Sequence, residues 1–145
     1  SIGVSNFQPA HLDKIVDATG VVPVVNQVEV HPFFTNEDVR AANARHGVLT
    51  EAWSPIAQGK VHDDDVMGEL SALVGKSPAQ VALRWHIQRG DIVFPKSMHR
   101  ERMQQNFDLF DWSLTDDQMA SVDTLDVGEA GRLGPNPDTF DWIPS

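Results

Sequence analysis

Residues 21–53 read VVPVVNQVEVHPFFTNEDVRAANARHGVLTEAW, and this stretch decides the fold. Its first ten residues are rich in β-branched side chains and end at a histidine-proline pair, which is typical of a buried strand. Asn36 then caps a predicted helix that runs through Ala44 and is closed by Gly47. Because residues 48–53 again have strand character, the stretch predicts one strand-helix-strand unit.

The same alternation continues on both sides of this unit. Upstream, residues 1–5 have the character of a buried strand, and Pro9 opens an amphipathic helix that stops at Gly20. Downstream, the sequence predicts a strand over 92–94 and helices over 66–74, 78–88, 100–109 and 115–125. Alternation of this kind favours parallel strands joined by right-handed crossovers. We therefore predict an α/β fold of about four parallel strands with helices, which is half of a (β/α)8 TIM barrel.

The pattern divides the chain into two parts. We assign residues 1–127 to the half-barrel and residues 128–145 to a C-terminal tail or loop, because glycine and proline punctuate the second part without periodicity. A half-barrel leaves two strand edges without partners, and unpaired edges favour association. We expect these edges either to pair with a missing half or to support self-association.

Composition and charge narrow the choice of partners. A net charge of -10 disfavours nucleic acid and anionic membrane surfaces, since both repel an acidic protein. The absence of cysteine excludes disulfides and thiolate chemistry, and it fits a reducing compartment. No apolar run approaches the ~20 residues that a membrane helix needs. We expect a cytoplasmic protein with a small-molecule ligand.

Polar and aromatic residues collect where the predicted strands end. Ligands of barrel proteins bind at this face of the sheet. The residues at these ends are Ser5, Asn6, Asn26, Gln27, Trp53, Ser54, Pro55, Pro95, Lys96 and Ser97. Carboxamides, an indole, a lysine and a hydroxyl match the hydrogen-bonding, stacking and phosphate requirements of a nicotinamide nucleotide.

The basic segment 96–102, KSMHRER, is the sharpest local signal in an acidic chain. It precedes a predicted helix, and the N-terminus of a helix favours an anion. The segment therefore indicates a phosphate-binding site. From spacing alone, a solvated basic turn explains the same residues equally well.

Two other kinds of site receive less support from the residues. Glu29 and Glu51 lie on adjacent predicted strands and resemble the paired carboxylates of a glycosidase, but a glycosidase does not explain the basic segment. The histidines at positions 31, 46 and 62 lack the spacing of metal ligands, so we expect no metal site. His86 lies on the apolar side of a predicted helix, and we interpret it as a packed helix residue.

Four blocks of sequence resemble the aldo-keto reductases in their order and spacing. They are Ser1–Phe7 (SIGVSNF), Asn26–Pro32 (NQVEVHP), Trp53–Gly59 (WSPIAQG) and Phe94–Asn106 (FPKSMHRERMQQN). Within that family the chain is most similar to the bacterial diketogluconate reductase-like group, which has tryptophan where many relatives use tyrosine to stack the nicotinamide.

The resemblance implies NADPH or NADP as the cofactor, held by three groups of residues. These are Ser5, Asn6, Gln27 and Trp53 for the nicotinamide; Ser54, Ile56, Gln58 and Gly59 for the pyrophosphate; and Lys96, Ser97, Met98, His99, Arg102, Gln105 and Asn106 for the adenosine 2′-phosphate and adenine.

The resemblance also implies which parts of the enzyme this chain lacks. The family's catalytic aspartate, tyrosine, lysine and histidine come from the first half of its barrel, and this chain contains no tyrosine. We therefore expect no catalytic residue here, and an inactive chain unless the other half is supplied. The complete enzyme would transfer hydride from NADPH to an aldehyde, ketone or keto sugar acid. The alternative is a non-catalytic half-barrel that binds a dinucleotide or self-associates.

Overall fold

The computed structural model describes residues 1–96 and 98–140, and for Arg102 it describes the backbone alone. A single parallel sheet runs through the described residues in the order β1, β2, β3, β4. Its strands are β1 (Gly3–Ser5), β2 (Val25–Glu29), β3 (Leu49–Trp53) and β4 (Ile92–Val93). The register places Val4 opposite Asn26, Gln27 opposite Glu51, and Ala52 opposite Val93. The order equals the chain order because every crossover returns to the neighbouring position.

Helices connect and follow these strands. The α-helices are α1 (Pro9–Thr19), α2 (Glu37–His46), α3 (Asp65–Val74), α4 (Pro78–Gln88), α5 (Arg100–Phe107) and α6 (Asp116–Asp123). Two short 3-10 helices cover Ala57–His62 and Gly128–Gly131. None of the helices in the described part of the chain is both long and apolar enough to cross a bilayer.

The capping residues explain where several helices begin. Ser77 accepts a hydrogen bond from the backbone N–H of Gln80, and the side chain of Gln80 accepts one from the backbone N–H of Ser77. Thr115 and Gln118 form the same reciprocal pair at the start of α6. Such capping boxes satisfy backbone donors that a helix leaves without partners. The predicted starts of α4 and α6 are confirmed.

Other predicted boundaries are wrong in extent. The strand predicted over 21–30 is regular only as β2, although the backbone of Val24 also bonds to Ile2 and Leu49 at 2.8 and 2.9 Å. Pro23, just before it, has no N–H to donate to a ladder. The fourth strand ends at Val93, α5 ends at Phe107, and α6 ends at Asp123.

Asn36 precedes α2 as predicted but does not cap it with its side chain. Its backbone is left-handed, with φ 53°, and its side-chain amide donates to the carbonyl of Glu29 at 3.0 Å. Asn tolerates this conformation better than most residues. The residue therefore ties the start of α2 to the end of β2.

The main core lies between the sheet and the helices. Side chains alternate along a strand, so Val28 and Ala52 face the helices, where they are 2% and 4% exposed. The core they join includes Val39, Val61, Met67, Leu70, Val81, Trp85, Leu114 and Val122. The opposite face of the sheet carries Ser5, Gln27 and Leu49, all of which are exposed. Parallel sheets are normally covered on both faces, so this open face is unusual.

Asn26 was predicted at a strand end that binds a ligand, but its side chain lies on the helix side of the sheet. It is fully buried, and its amide donates to Asn43 of α2 and to the carbonyl of Phe7, both at 3.0 Å. Asn43 in turn donates to the hydroxyl of Thr50 at 2.9 Å. This buried network links β1, β2, β3 and α2, because each of its polar groups needs a partner inside the core.

The C-terminal segment from 128 to 140 runs as a loop across the carboxyl ends of the strands. The N–H of Val127 donates to the carbonyl of Phe33 at 3.2 Å, and the guanidinium of Arg132 lies 4.4 Å from the ring centre of Phe34. Farther on, a carboxylate oxygen of Asp138 lies 3.9 Å from Nε2 of His11 in α1. Gly128–Gly131 forms a short 3-10 turn, and residues 132–140 contain no helix or strand. Residues 141–145 lie outside the described residues.

Candidate functional site

Four predicted site residues meet at the carboxyl ends of β1, β2 and β3, and we call Ser5, Asn6, Gln27 and Trp53 the strand-end cluster. The backbone N–H of Asn6 and the hydroxyl of Ser5 donate to the carbonyl of Gln27 at 2.8 and 3.2 Å. The indole N–H of Trp53 donates to the side-chain oxygen of Asn6 at 2.9 Å. Asn6 is left-handed, with φ 58°, and this turns its carboxamide toward the indole. The structure therefore brings together the residues predicted for the nicotinamide.

Hydrogen bonding inside the cluster leaves two polar groups available on the open face. The oxygen of the Asn6 carboxamide accepts from Trp53, while its NH2 group has no partner among the described residues. The NH2 group of Gln27 donates to Glu51, which leaves the Gln27 side-chain oxygen without a donor in the same part of the chain. One free donor and one free acceptor are the complement of another carboxamide.

A cleft of about 640 Å³ lies beside this cluster, between the loop after β3 and the segment after β4. We call it the loop cleft. Seven predicted site residues line it: Ser54, Ile56, Gln58, Gly59, Lys96, Gln105 and Asn106. Since Trp53 and Ser54 are consecutive, the cleft begins where the strand-end cluster stops.

The loop after β3 has a strained backbone. Ser54, Ala57 and Gln58 are left-handed, with φ between 49° and 53°, and Gly59 follows with φ 94°. Non-glycine residues in this region cost of order 1 kcal/mol each, and such positions persist where surrounding contacts fix them. Here the N–H of Ala57 donates to the carbonyl of Ser54 at 2.8 Å, and Ala57 is fully buried.

His86 of α4 fixes the base of this loop. Its Nε2 contacts the carbonyl of Pro55 at 3.0 Å, its Nδ1 contacts the carboxylate of Asp91 at 2.9 Å, and the ring is fully buried. Arg40 donates to the same carboxylate at 3.0 Å. Burial raises the pKa of Asp91, but the hydrogen bond from His86 and the charges of His86 and Arg40 outweigh it and hold the pKa below its usual value.

The interpretation of His86 as a packed helix residue is therefore correct but incomplete. The side chain also links α4 to the cleft loop through the carbonyl of Pro55. Sequence spacing carries no signal for that contact, because the two residues lie 31 positions apart.

The structure describes the basic segment 96–102 only in part. Lys96 lines the loop cleft, His99 precedes the first turn of α5, and Met98 is 84% exposed. Ser97 and the side chain of Arg102 lie outside the described residues. The structure thus brings Lys96, Gln105 and Asn106 to one cleft and leaves the remaining members of the predicted phosphate site untested.

Sequence reasoning missed several cleft residues: His62, Ser77, Ala79, Leu83 and Phe94. In the structure Ser77 also caps α4, and Leu83 is a buried residue of that helix. Their position in the cleft follows from how α4 packs against the loop after β3, a tertiary arrangement that no local pattern encodes.

The alternative sites find no support in the geometry. The carboxylate of Glu29 is buried and already accepts hydrogen bonds from His31, Leu133 and Gly134, while that of Glu51 accepts one from Gln27. Within the described ranges there is no group of three or more His, Asp or Glu side chains that could hold a metal ion. His46 instead contacts Asp13 at 2.6 Å.

The fold and the site together define a β/α barrel architecture whose ligand-binding groups gather at the carboxyl ends of parallel strands. The sequence model of the aldo/keto reductase family matches residues 1–127. This chain belongs to the aldo/keto reductase family.

Known proteins support that membership. An aldo-keto reductase of Mycolicibacterium smegmatis is 48% identical over 98% of this chain, and the methylglyoxal reductase DkgA of Escherichia coli is 46% identical over 97%. The match covers 51% of each relative. The solved structure of a Gox0644 mutant in complex with NADPH has a TM-score of 0.94 and 44% identity, and the match covers 98% of this chain and 52% of that one.

The chain spans about half the length of the curated relatives it matches. Its four parallel strands with helices correspond to about half of an aldo-keto reductase barrel, which confirms the predicted fold class.

Proposed function

We propose that this chain is the cofactor-binding half of an NADPH-dependent aldo-keto reductase. In this proposal residues 1–127 form half of the barrel, and residues 128–145 form a tail at its ligand face. The observation that carries it is the continuity of the strand-end cluster with the loop cleft. Together they offer hydrogen-bonding partners for a carboxamide, a flat indole and a cleft bordered by Lys96. Their order matches that of the nicotinamide and the phosphate groups in NADPH. The NADPH complex of a Gox0644 mutant supports the cofactor.

The free groups of the cluster indicate how the nicotinamide would be held. The NH2 group of Asn6 would donate to the carboxamide oxygen of the cofactor, and the side-chain oxygen of Gln27 would accept from its NH2 group. The indole of Trp53 would lie against one face of the ring and leave the other face toward the substrate. The bound cofactor would supply hydride.

The rest of the cofactor would occupy the loop cleft. Ser54, Ile56, Gln58 and Gly59, all of which line the cleft, would border the pyrophosphate. Lys96 with Ser97 and Arg102 would hold the 2′-phosphate, assisted by Met98 and His99. Gln105 and Asn106 would contact the adenine.

The resemblance to the family implies a tyrosine as the acid that protonates the carbonyl, and this chain contains no tyrosine. We propose that a second half-barrel supplies it by pairing along the free edges of β1 and β4 and by covering the open face of the sheet. The substrate would be an aldehyde, ketone or keto sugar acid. The methylglyoxal reductase activity named for the relative DkgA supports a small carbonyl compound.

A titration of the chain with NADPH tests the cofactor proposal. We expect saturable quenching of tryptophan fluorescence at submillimolar NADPH, because the nicotinamide would stack on Trp53. Trp53→Phe should remove most of the quenching, whereas the control Trp112→Phe should retain it. If millimolar NADPH leaves both the fluorescence of the chain and an equilibrium-dialysis measurement unchanged, the proposal is wrong.

The second candidate function is a non-catalytic half-barrel that self-associates, and the exposed open face of the sheet favours it. Sedimentation equilibrium separates the candidates when it is combined with the titration. Association without NADPH binding supports the scaffold, whereas NADPH binding by the monomer supports the cofactor-binding half.

A further inference from the structure

The carboxylate of Glu29 is the most deeply buried acid on the open face of the sheet. It lies at the end of β2, one residue after Val28, and its side chain is 0% exposed. A buried carboxylate is costly unless hydrogen bonds surround it. Glu29 therefore depends on the donors that reach it.

Two of its three donors come from the C-terminal segment. The backbone N–H of Leu133 donates to one oxygen at 2.5 Å, and the N–H of Gly134 donates to the other at 2.9 Å. The third donor is Nε2 of His31, at 3.0 Å. Without the C-terminal segment, Glu29 would lose two of its three protein donors.

His31 contributes as a neutral ring. It is fully buried, and burial lowers its pKa below the usual value of 6.5, although the hydrogen bond and the charge of Glu29 act in the opposite direction. The neutral tautomer with hydrogen on Nε2 donates to the carboxylate. Glu29 therefore accepts one hydrogen bond from a neutral ring and two from the backbone amides of residues 133 and 134.

The same segment lies against the indole of Trp53. A Cβ added at Gly134 would stand 2.4 Å from Cη2 of Trp53 and 3.1 Å from the carboxylate of Glu29, so the segment has no room for a side chain there. A Cβ at Gly131 would stand 1.8 Å from the carbonyl of Phe33. Two close approaches on either side of Arg132 fix the path of the segment over the strand ends.

We propose that Glu29 is a positioning residue, whose buried carboxylate holds residues 133 and 134 against Trp53 and thereby fixes the indole for the nicotinamide. We call this arrangement the Glu29 latch. The inference rests on the proposed function for its effect on the cofactor, while the latch itself is a property of the chain. The latch acts at the strand-end cluster and leaves the adenosine end of the loop cleft unchanged.

Amide hydrogen exchange of the 145-residue chain tests the latch without any ligand. In Glu29→Gln, one of the two oxygen acceptors becomes an NH2 donor, so one of the amides of Leu133 and Gly134 loses its acceptor, and we expect that amide to exchange at least about tenfold faster. Glu51→Gln is the matched control, since Glu51 lies on the neighbouring strand and bonds to Gln27 rather than to the segment. Equal protection of the two amides in Glu29→Gln and wild type would overturn the proposal.

Gly134→Ala supplies a second test that keeps the carboxylate. Its Cβ has to displace the segment from the indole, so we expect a changed Trp53 emission and faster exchange at residue 133 in a chain whose circular dichroism is unchanged. An unchanged emission would contradict contact between the segment and the indole.

Two ligands separate the latch from the proposed function. In Glu29→Gln we expect about fivefold or greater weakening of NADPH, which uses Trp53, and unchanged binding of adenosine 2′,5′-bisphosphate, which does not. Equal weakening of both ligands would overturn the positioning role. If the wild-type chain binds neither ligand while the exchange and emission changes are observed, the latch stands and the proposed function fails.

Discussion

The strand-end cluster and the far end of the loop cleft differ in how the fold prepares them. In the cluster, backbone and side chains of Asn6, Gln27 and Trp53 bond to one another at the ends of paired strands. At the far end, Lys96 and Gln105 are exposed, and they follow a strand of only two residues. One end of the proposed site is therefore set by the sheet before a ligand arrives. The other end depends on charge and on contacts made with the ligand.

The largest change in stability is expected from removing His86, which holds the carbonyl of Pro55 at the base of the loop after β3. His86→Ala should lower the free energy of unfolding by about 2–4 kcal/mol, since the carbonyl of Pro55 loses its donor and the buried Asp91 keeps only Arg40 among the described residues. Urea denaturation measures the change. His62→Ala, in an exposed position on the same loop, is the control and should stay within about 0.5 kcal/mol of wild type. A loss below 1 kcal/mol for His86→Ala would show that the loop does not depend on this ring.

The next largest effect is expected on cofactor binding at the far end of the loop cleft. Replacing Lys96 and Arg102 by Gln should weaken NADPH relative to NADH by roughly 1–3 kcal/mol, because charge-assisted bonds to the 2′-phosphate would be lost. Calorimetric titration with both cofactors measures the difference. Lys14→Gln, on α1, removes one positive charge away from the cleft and should leave the ratio unchanged. Equal weakening of NADPH and NADH binding in the double variant would contradict the assignment of these residues to the 2′-phosphate.

A smaller effect is expected at the strand-end cluster, and it should not distinguish NADPH from NADH. Asn6→Ala should weaken NADPH and NADH equally, by about 0.5–1.5 kcal/mol, since one hydrogen bond to the carboxamide would be lost in both. Parallel titrations compare the two cofactors. Preference for one cofactor in this variant would show that Asn6 does not act at the part the two share.

The smallest effect is a pH dependence of folding at His31. Its pKa is lower in the folded chain than in the unfolded one, so the unfolded chain binds more protons as the pH falls below about 6.5. The contribution to stability is complete above that pH and is lost progressively below it, by at most about 0.7 kcal/mol between pH 7 and pH 6. Urea denaturation at both pH values measures it, and His31→Gln should flatten this component. A wild-type change no larger than that of His31→Gln would contradict the prediction.

The two regions also differ in how far sequence alone predicts them. The ends of β1 and β3 follow from local patterns, so Asn6 and Trp53 could be placed at one edge of the sheet before any contact was known. Strand pairing then determines that they meet. The hydrogen bond between the two side chains, and the left-handed backbone of Asn6, become visible only in the folded chain.

The loop cleft was less predictable because helix packing forms it. Ser77 and Leu83 have ordinary local roles in α4, and their place in the cleft depends on how that helix lies beside the loop after β3. Pro23 shows the limit for strands. Valines on both sides predict a longer ladder, yet Pro23 has no N–H to donate, and the backbone bonds to the neighbouring segments begin at Val24.

The Glu29 latch has a consequence for folding during synthesis. Glu29 bonds to amides 104 and 105 residues farther along the chain, so these contacts can form only after residues 133 and 134 have left the ribosome. Contacts of such high sequence separation form late and slow the final stage of folding. Until the segment closes over it, the carboxylate of Glu29 would therefore stay hydrated at the end of β2, and a hydrated charge there disfavours premature docking of other chains.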